Sequence, residues 1–281
     1  MRGWRFALSR RWAGYLALTV AFAVVCSLLG AWQFTRRAEA RTEIDRIDAN
    51  YDARPMPVAD VLPTLGAFDA GQKWTPVLLE GIYLSDAELL VRNRPLAGRP
   101  GFEVLTPLLL EDGTVFIVDR GWVPTGSRQD APDVVPPAPE GPVTVVARLK
   151  GGETVLPGRS TVEGSGQIPT VHLPQVAGML DNPVYTGAYG LVASEDPAPE
   201  SAPVAAGKPV RDEGPHLSYA LQWFVFALLG FVGLGWALRQ EYRVVNADDP
   251  DERERSDERA RRRAARAPSD SEAEDALLDS R

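Results

Sequence analysis

Two long apolar runs, one near each end of the chain, dominate the alternation of hydrophobic and polar positions. Residues 13–35 hold 23 consecutive side chains without a formal charge, and about 20 apolar residues suffice to cross a hydrocarbon core. Residues 214–238 hold a second uncharged run, of 25, closed by Arg239 and Arg243. Each predicts a transmembrane helix. The first run exceeds a signal-peptide core, Leu29-Gly30-Ala31 is a poor cleavage site, and Val25 before Cys26 does not suit a lipoprotein, so an uncleaved anchor is expected.

Between the runs the period changes. Helix-forming residues continue past Arg36, with Arg37 and Arg41 spaced against Glu39 and Glu43, so the first helix is expected to run on to near Asp52, before Pro55 and Pro57. Six apolar or alternating segments then predict strands at 76–84, 88–93, 102–110, 114–119, 143–149 and 184–193. Asp112-Gly113 between two of them is a hairpin signal. Residues 58–65 and 173–180 are the helix candidates. The five prolines of 194–215 suggest an extended spacer.

The expected fold is a membrane protein whose two transmembrane α-helices flank a small α+β, mainly antiparallel β, extracytoplasmic domain. Its divisions are a basic N-terminus at 1–12, helix at 13–35, the domain at 36–193, a Pro-rich linker at 194–213, helix at 214–238 and a charged tail at 239–281. The tail is nearly devoid of apolar residues and is expected to be disordered.

Charge orients this plan. Residues 1–12 carry four arginines and no acid, 36–213 carry 16 basic and 25 acidic residues, and 239–281 carry 10 and 13. Arg36, Arg37 and Arg41 nearly balance the N-terminal count, but only Arg211, with Asp212 and Glu213, precedes the second span. Both termini are therefore expected in the cytoplasm. The net charge of −8 argues against nucleic acid as a partner.

Catalytic options are few. One cysteine, Cys26, and two histidines, His172 and His216, assemble no nucleophile with base and orienting group, and no phosphate loop is present. An enzyme is not expected, and His172 reads as a surface or loop-capping residue. More informative is polarity inside the spans. His216, Tyr219, Trp223, Phe226, Gly230 and Gly233 recur at helical spacing, as do Thr19, Ala23, Cys26, Gly30 and Gln33. Small residues on both would let antiparallel helices approach, bringing Gln33 and Arg36 near His216, Tyr219 and Gln222. Two readings stay open: a packing seam with an aromatic belt that includes Trp32 and Trp223, or a ligand role for His216. In the domain, Arg92, Arg94 and Arg120 end neighbouring predicted strands, where they could clamp carboxylates or form salt bridges to Glu103 or Asp119. Trp122 packs over the sheet or faces a partner.

Four patches carry a family resemblance. They are Leu29-Gly30-Ala31-Trp32-Gln33-Phe34-Thr35-Arg36; Glu80-Gly81-Ile82-Tyr83 with Leu90-Val91-Arg92-Asn93-Arg94; the run from Gly98 through Gly101, Pro107 and Asp112-Gly113 to Val118-Asp119-Arg120-Gly121-Trp122-Val123-Pro124; and His216-Leu217-Ser218-Tyr219-Ala220-Leu221-Gln222-Trp223-Phe224. The chain resembles the surfeit locus protein 1 family of cytochrome c oxidase assembly factors, covering most of residues 12–243. The tail falls outside the pattern, and its composition looks like an actinobacterial, high-GC source.

The resemblance implies a non-catalytic helper, or chaperone, in the plasma membrane, acting when haem a enters the catalytic subunit of cytochrome c oxidase. It also implies partners among other respiratory-chain membrane proteins and the lipid bilayer. By the same resemblance His216 maps onto a histidine implicated in haem binding and would ligate the iron, with Tyr219, Gln222, Trp223, Trp32, Gln33 and Arg36 around it. Arg92, Arg94, Gly101, Pro107, Arg120, Gly121 and Trp122 are the motif residues expected to serve a partner or the domain's structure. The alternative within the family is a permanent accessory subunit of the oxidase or its supercomplex.

Overall fold

A computed structural model describes residues 3–128, 131–159 and 166–264. In chain order the elements are α1 (Arg10–Asn50), β1 (Met56–Pro57), α2 (Val58–Val61), β2 (Pro76–Tyr83), β3 (Leu89–Val91), β4 (Gly101–Leu110) and β5 (Val115–Pro124). There follow β6 (Pro142–Gly151), β7 (Gln167–Ile168), α3 (Leu173–Ala177), β8 (Ala188–Asp196), α4 (His216–Val245) and α5 (Pro250–Ala264). The chain divides into two units, Met1–Glu39 with Gly214–Arg281, and Ala40–Glu213.

The first unit is built on the two apolar helices, both long and apolar enough to cross a membrane, with mean hydropathy of 2.0 and 1.8 in their most apolar stretches. They meet along a seam of small residues. A Cβ on Gly30 would lie 2.9 Å from the Phe224 ring, and one on Gly230 would lie 3.2 Å from Phe22. Cys26 and Ala220 are fully buried between them. On α1 the buried face is the expected one through Thr19, Ala23, Cys26, Gly30 and Gln33. On α4 it runs through His216, Ala220, Trp223, Ala227 and Gly230, whereas Tyr219 and Phe226 are exposed and Gly233 has nothing near it. The expected face is thus corrected by one position at alternate turns. Spacings of 3 and 4 can be phased either way, and backbones touching at glycine accept Ala220 where a tyrosine would hold them apart.

The second unit is a closed five-stranded barrel. Strand order is β1-β2-β6-β8-β5-β4-β3-β7, and a further β2–β4 pairing joins the sheet to itself. All pairs around the barrel are antiparallel except β5 with β8, at Val118↔Gly190 and Asp119↔Leu191. Closure needs Gly81, where a Cβ would sit 2.2 Å from the Leu109 carbonyl oxygen. Val77, Leu79, Leu108, Phe116, Val118, Val145 and Ala147 contribute to one buried core. A second core covers Leu105, Val115 and Ile117 with Ile47 and Tyr51 from the end of α1, Trp74, and residues of β3, β7 and α3. With cores on both faces, β5 is buried from Val115 to Val123, which is why it reads as a continuous apolar run.

The Asp-Gly signal makes the β4–β5 hairpin, with Gly113 at φ +81 and Asp112 Oδ1 accepting from Thr114 N–H at 2.9 Å. Pro107 is tolerated within β4 because it lies between the residues paired with β3 and those paired with β2. Its carbonyl accepts from Leu84 N–H at 2.8 Å on that same edge, where the ladder asks for no donor from it.

Several expected boundaries shift. β5 continues to Pro124 and β8 to Asp196, the helices at 58 and 173 are one turn each, and β1 and β7 are two-residue strands with no sequence signal of their own. The linker is not a free spacer. Val204 forms an antiparallel bridge with Trp122. Beyond it, Lys208 pairs with Asp52, Arg211 with Asp48 and Glu213 with Arg41, so residues 208–213 run antiparallel to the end of α1. The tail is helical over Pro250–Ala264 rather than disordered there. Asp251 and Glu252 lie in its first turn, Arg261, Arg262 and Arg263 in its last, and Glu258 pairs with Arg262, all of which favour a helix without any apolar face. The rest of the disordered-tail expectation, 265–281, lies outside the described residues.

Candidate functional site

At one end of the helix pair the His216 Nδ1 atom and the Gln33 Oε1 atom lie 2.8 Å apart. His216 opens α4 after Pro215, and Gln33 continues the α1 seam one turn beyond Gly30, so the contact follows from the close approach at the glycine. Trp223 is half-buried on the same face and meets Phe226 edge-on at 5.9 Å. The other residues expected around His216 are not gathered with it: Trp32, Tyr219 and Gln222 are exposed, and Arg36 makes a surface pair with Glu39 at 2.6 Å. Of the expected set, the fold brings together His216 and Gln33, with Trp223 two turns further along the same face of α4.

The other histidine behaves as read. His172 caps α3, its Nδ1 accepting from Gln175 N–H at 3.3 Å.

In the barrel unit the expected arginine cluster resolves into separate arrangements. Arg120 lies inside the barrel end with its side chain wholly buried. Its Nε donates to Glu195 Oε1 at 3.2 Å, and Nη1 and Nη2 donate to the carbonyls of Pro136 and Pro137 at 3.0 and 2.9 Å. Tyr83 donates to the same Glu195 oxygen at 2.6 Å, and burial together with that carboxylate raises the phenol. Glu88 lies 3.9 Å from Arg120 and accepts from Thr106 at 3.0 Å, its carboxyl raised by burial. Arg120 is therefore spent internally and is not placed to clamp a partner's carboxylate. Nor are its salt-bridge partners Glu103 or Asp119. A β-bulge between Val104↔Gly121 and Leu105↔Asp119 leaves Arg120 as the unpaired extra residue of β5.

Trp122 packs over the sheet. Its ring lies where a Cβ on Gly101 would be, 2.4 Å away, its Nε1 donates to the Arg94 carbonyl at 2.6 Å, and Arg99 stacks above it. Arg94 bridges Glu103 at 2.9 Å and Glu153 at 2.5 Å. Against the upward pull of burial, Arg94, Thr170 and the Val171 N–H hold the Glu153 carboxyl down at about 2. Arg92 is half-buried and docks its backbone N–H on the Ile168 carbonyl at 3.0 Å. Asp119 accepts from Gly121 N–H at 3.0 Å and is raised by burial and by the neighbouring Glu103.

Glu195, Glu88 and Glu153 were not singled out by sequence. Glu88 opens the strand expected at 88–93, Glu153 follows the one expected at 143–149, and Glu195 lies at the edge of the proline-rich stretch, so nothing local marked them as partners of the arginines. Among the described residues no three His, Cys, Asp or Glu side chains are arranged to hold a metal ion.

The SURF1 family matches residues 20–228, a span that runs from the α1 seam through the barrel to the His216 end of α4. An uncharacterised SURF1-like protein of Mycobacterium tuberculosis (strain H37Rv) is 32% identical over 245 residues, covering 85% of this chain and 88% of its own. A SURF1-like protein of Monosiga brevicollis is 28% identical over 78% of this chain and 85% of its own. The cytochrome oxidase assembly protein SHY1 of Saccharomyces cerevisiae is 30% identical over 122 residues, 42% of this chain and 30% of its own. The barrel, the motif residues and the facing parts of both apolar helices lie within the matched span, and the chain belongs to the SURF1 family.

Proposed function

We propose that this protein is a membrane-anchored, non-catalytic assembly factor for a haem–copper cytochrome c oxidase, assisting delivery of haem a to the catalytic subunit. The name of the yeast relative supports the assembly role. Two apolar helices bracketing the barrel support anchoring in the plasma membrane, and the distribution of arginines favours both termini in the cytoplasm with the barrel outside.

The observation that carries the haem reading is the His216–Gln33 contact at 2.8 Å. With Nδ1–H donating to the Gln33 carbonyl, the Nε2 lone pair is left for a metal, the arrangement typical of ligating histidines. These residues fit a haem. His216 would ligate, Gln33 would hold the ring and its tautomer, and the exposed Trp32 and Tyr219 offer aromatic surface to a macrocycle. The surface pair of Arg36 with Glu39 is weak enough to exchange for a propionate. Haem would supply only the cargo or its recognition; no chemistry on it is assigned to this chain.

The test is purification of tagged protein from a host that makes haem a, with spectra of the protein and immunodetection of co-purified oxidase subunits. Haem absorbance lost in His216→Ala but kept in His172→Ala supports the ligand role. Equal haem in both variants removes it, and absence of oxidase subunits removes the assembly reading.

A further inference from the structure

The segment leaving the barrel makes one short, underfilled strand. Trp122 N–H donates to the Val204 carbonyl and Val204 N–H to the Trp122 carbonyl, both at 2.8 Å. Val204 thereby occupies the edge of β5 that β8 leaves open beyond Asp119. The approach is built into the strand, because Gly121, at φ +127, would place a Cβ 2.5 Å from the Val204 oxygen. Beneath residues 204–207 lies a cleft of about 380 Å³ with Arg94, Glu103, Asp119 and Trp122 in its lining. Ala205, Ala206 and Gly207 also line it, with side chains too small to fill it. The segment is otherwise tied down by exposed ion pairs with the end of α1, Lys208 with Asp52, Arg211 with Asp48 and Glu213 with Arg41, of a kind that contributes little to stability.

The cleft is short of positive charge. Arg94 is shared between Glu103 and Glu153, and Asp119 accepts one backbone hydrogen bond. Burial and the neighbouring Glu103 raise the cost of ionising Asp119, which Arg94 and Lys150 only partly offset. Tyr189, close enough to feel both acids, keeps its hydroxyl buried with no hydrogen-bond partner.

We infer that this cleft is a strand-addition site for an extended segment of a partner protein, which displaces residues 203–207 from Trp122 and brings a lysine or arginine to pair with Asp119 and Glu103. Residues 203–207 are then a weak placeholder. Backbone pairing to Trp122 gives the partner its register, as in other strand additions, and the charge gives it selectivity. The incoming cation takes the place of the proton on Asp119: the carboxyl gives up H⁺ to solvent as the ion pair forms. This inference does not depend on haem binding, and His216 takes no part in its test.

The test uses full-length protein in nanodiscs and fluorescein-labelled octapeptides of the chain's own sequence 201–208, Ser-Ala-Pro-Val-Ala-Ala-Gly-Lys, with Ala205 kept or replaced by Lys or Glu. A Lys208→Ala, Arg211→Ala variant loosens the placeholder, and amide exchange at Val204 reports its release. In that variant the Lys peptide should bind at least tenfold more tightly than the Glu peptide, with proton release in weakly buffered solution. Asp119→Asn should abolish the difference. Equal binding of the three peptides, no binding with the placeholder open, or a placeholder that stays closed would each overturn the inference.

Discussion

Arg120 and Glu195 meet at 3.2 Å inside one end of the barrel, joined by Tyr83 and closed over by two proline carbonyls. Five donors on a guanidinium are hard to satisfy without water, and here strand ends and a loop converge to meet three of them. Removing one partner leaves a buried charge, so Arg120→Ala should cost about 3–5 kcal/mol in denaturant unfolding of the full chain. Replacing both, as Arg120→Met with Glu195→Leu, should recover most of that loss. If the double variant unfolds as readily as Arg120→Ala, the pair is not what holds this end of the barrel.

Gly101→Ala should destabilise by about 1–3 kcal/mol, because its Cβ would enter the Trp122 ring. Gly66→Ala, with nothing within 4 Å, is the control. Thermal melts of the two variants in the same detergent decide it, and matched melting temperatures would mean Trp122 moves aside at little cost.

The raised Asp119 carboxyl sets a pH dependence. Its ordinary value is 3.8 and burial beside Glu103 pushes it up to about 8. Between these values the folded state holds a proton that the unfolded chain has lost, so this group's contribution to stability falls as pH rises from about 4 to about 8. Asp119→Asn should flatten the fall and be more stable than the parent near pH 8. An unchanged slope would mean the carboxyl titrates normally.

Glu153 has the opposite sign. Held at about 2 against an ordinary 4.5, its carboxylate stabilises the fold above pH 4.5, and that contribution is lost as pH falls towards 2. Glu153→Gln should lower the melting temperature at pH 7 and narrow the gap to the parent at pH 3.

Gln33→Leu leaves His216 in place but removes the acceptor that orients its ring. Haem co-purifying with the variant should fall by about tenfold, the usual scale for loss of a partner that orients a ligand. Retention equal to that of the parent would leave Gln33 with a packing role alone.

What the sequence by itself determined follows from interactions local in the chain. Uncharged length marks both apolar helices, apolar or alternating runs mark the six longer strands, and Asp112-Gly113 marks the hairpin, because each depends on residues within a few positions of one another. The α1 seam was legible for the same reason, since Gly30 and its neighbours present small side chains at helical spacing. Tertiary structure alone decided the rest. Barrel closure through Gly81, the parallel β5–β8 seam, the rotation of the α4 face to Ala220, the docking of Val204 on Trp122 and the choice of Glu195 as the partner of Arg120 all join residues distant in sequence. A buried guanidinium must find acceptors somewhere, and composition announces that need, but only the register of strands brought together in space names the residue that meets it.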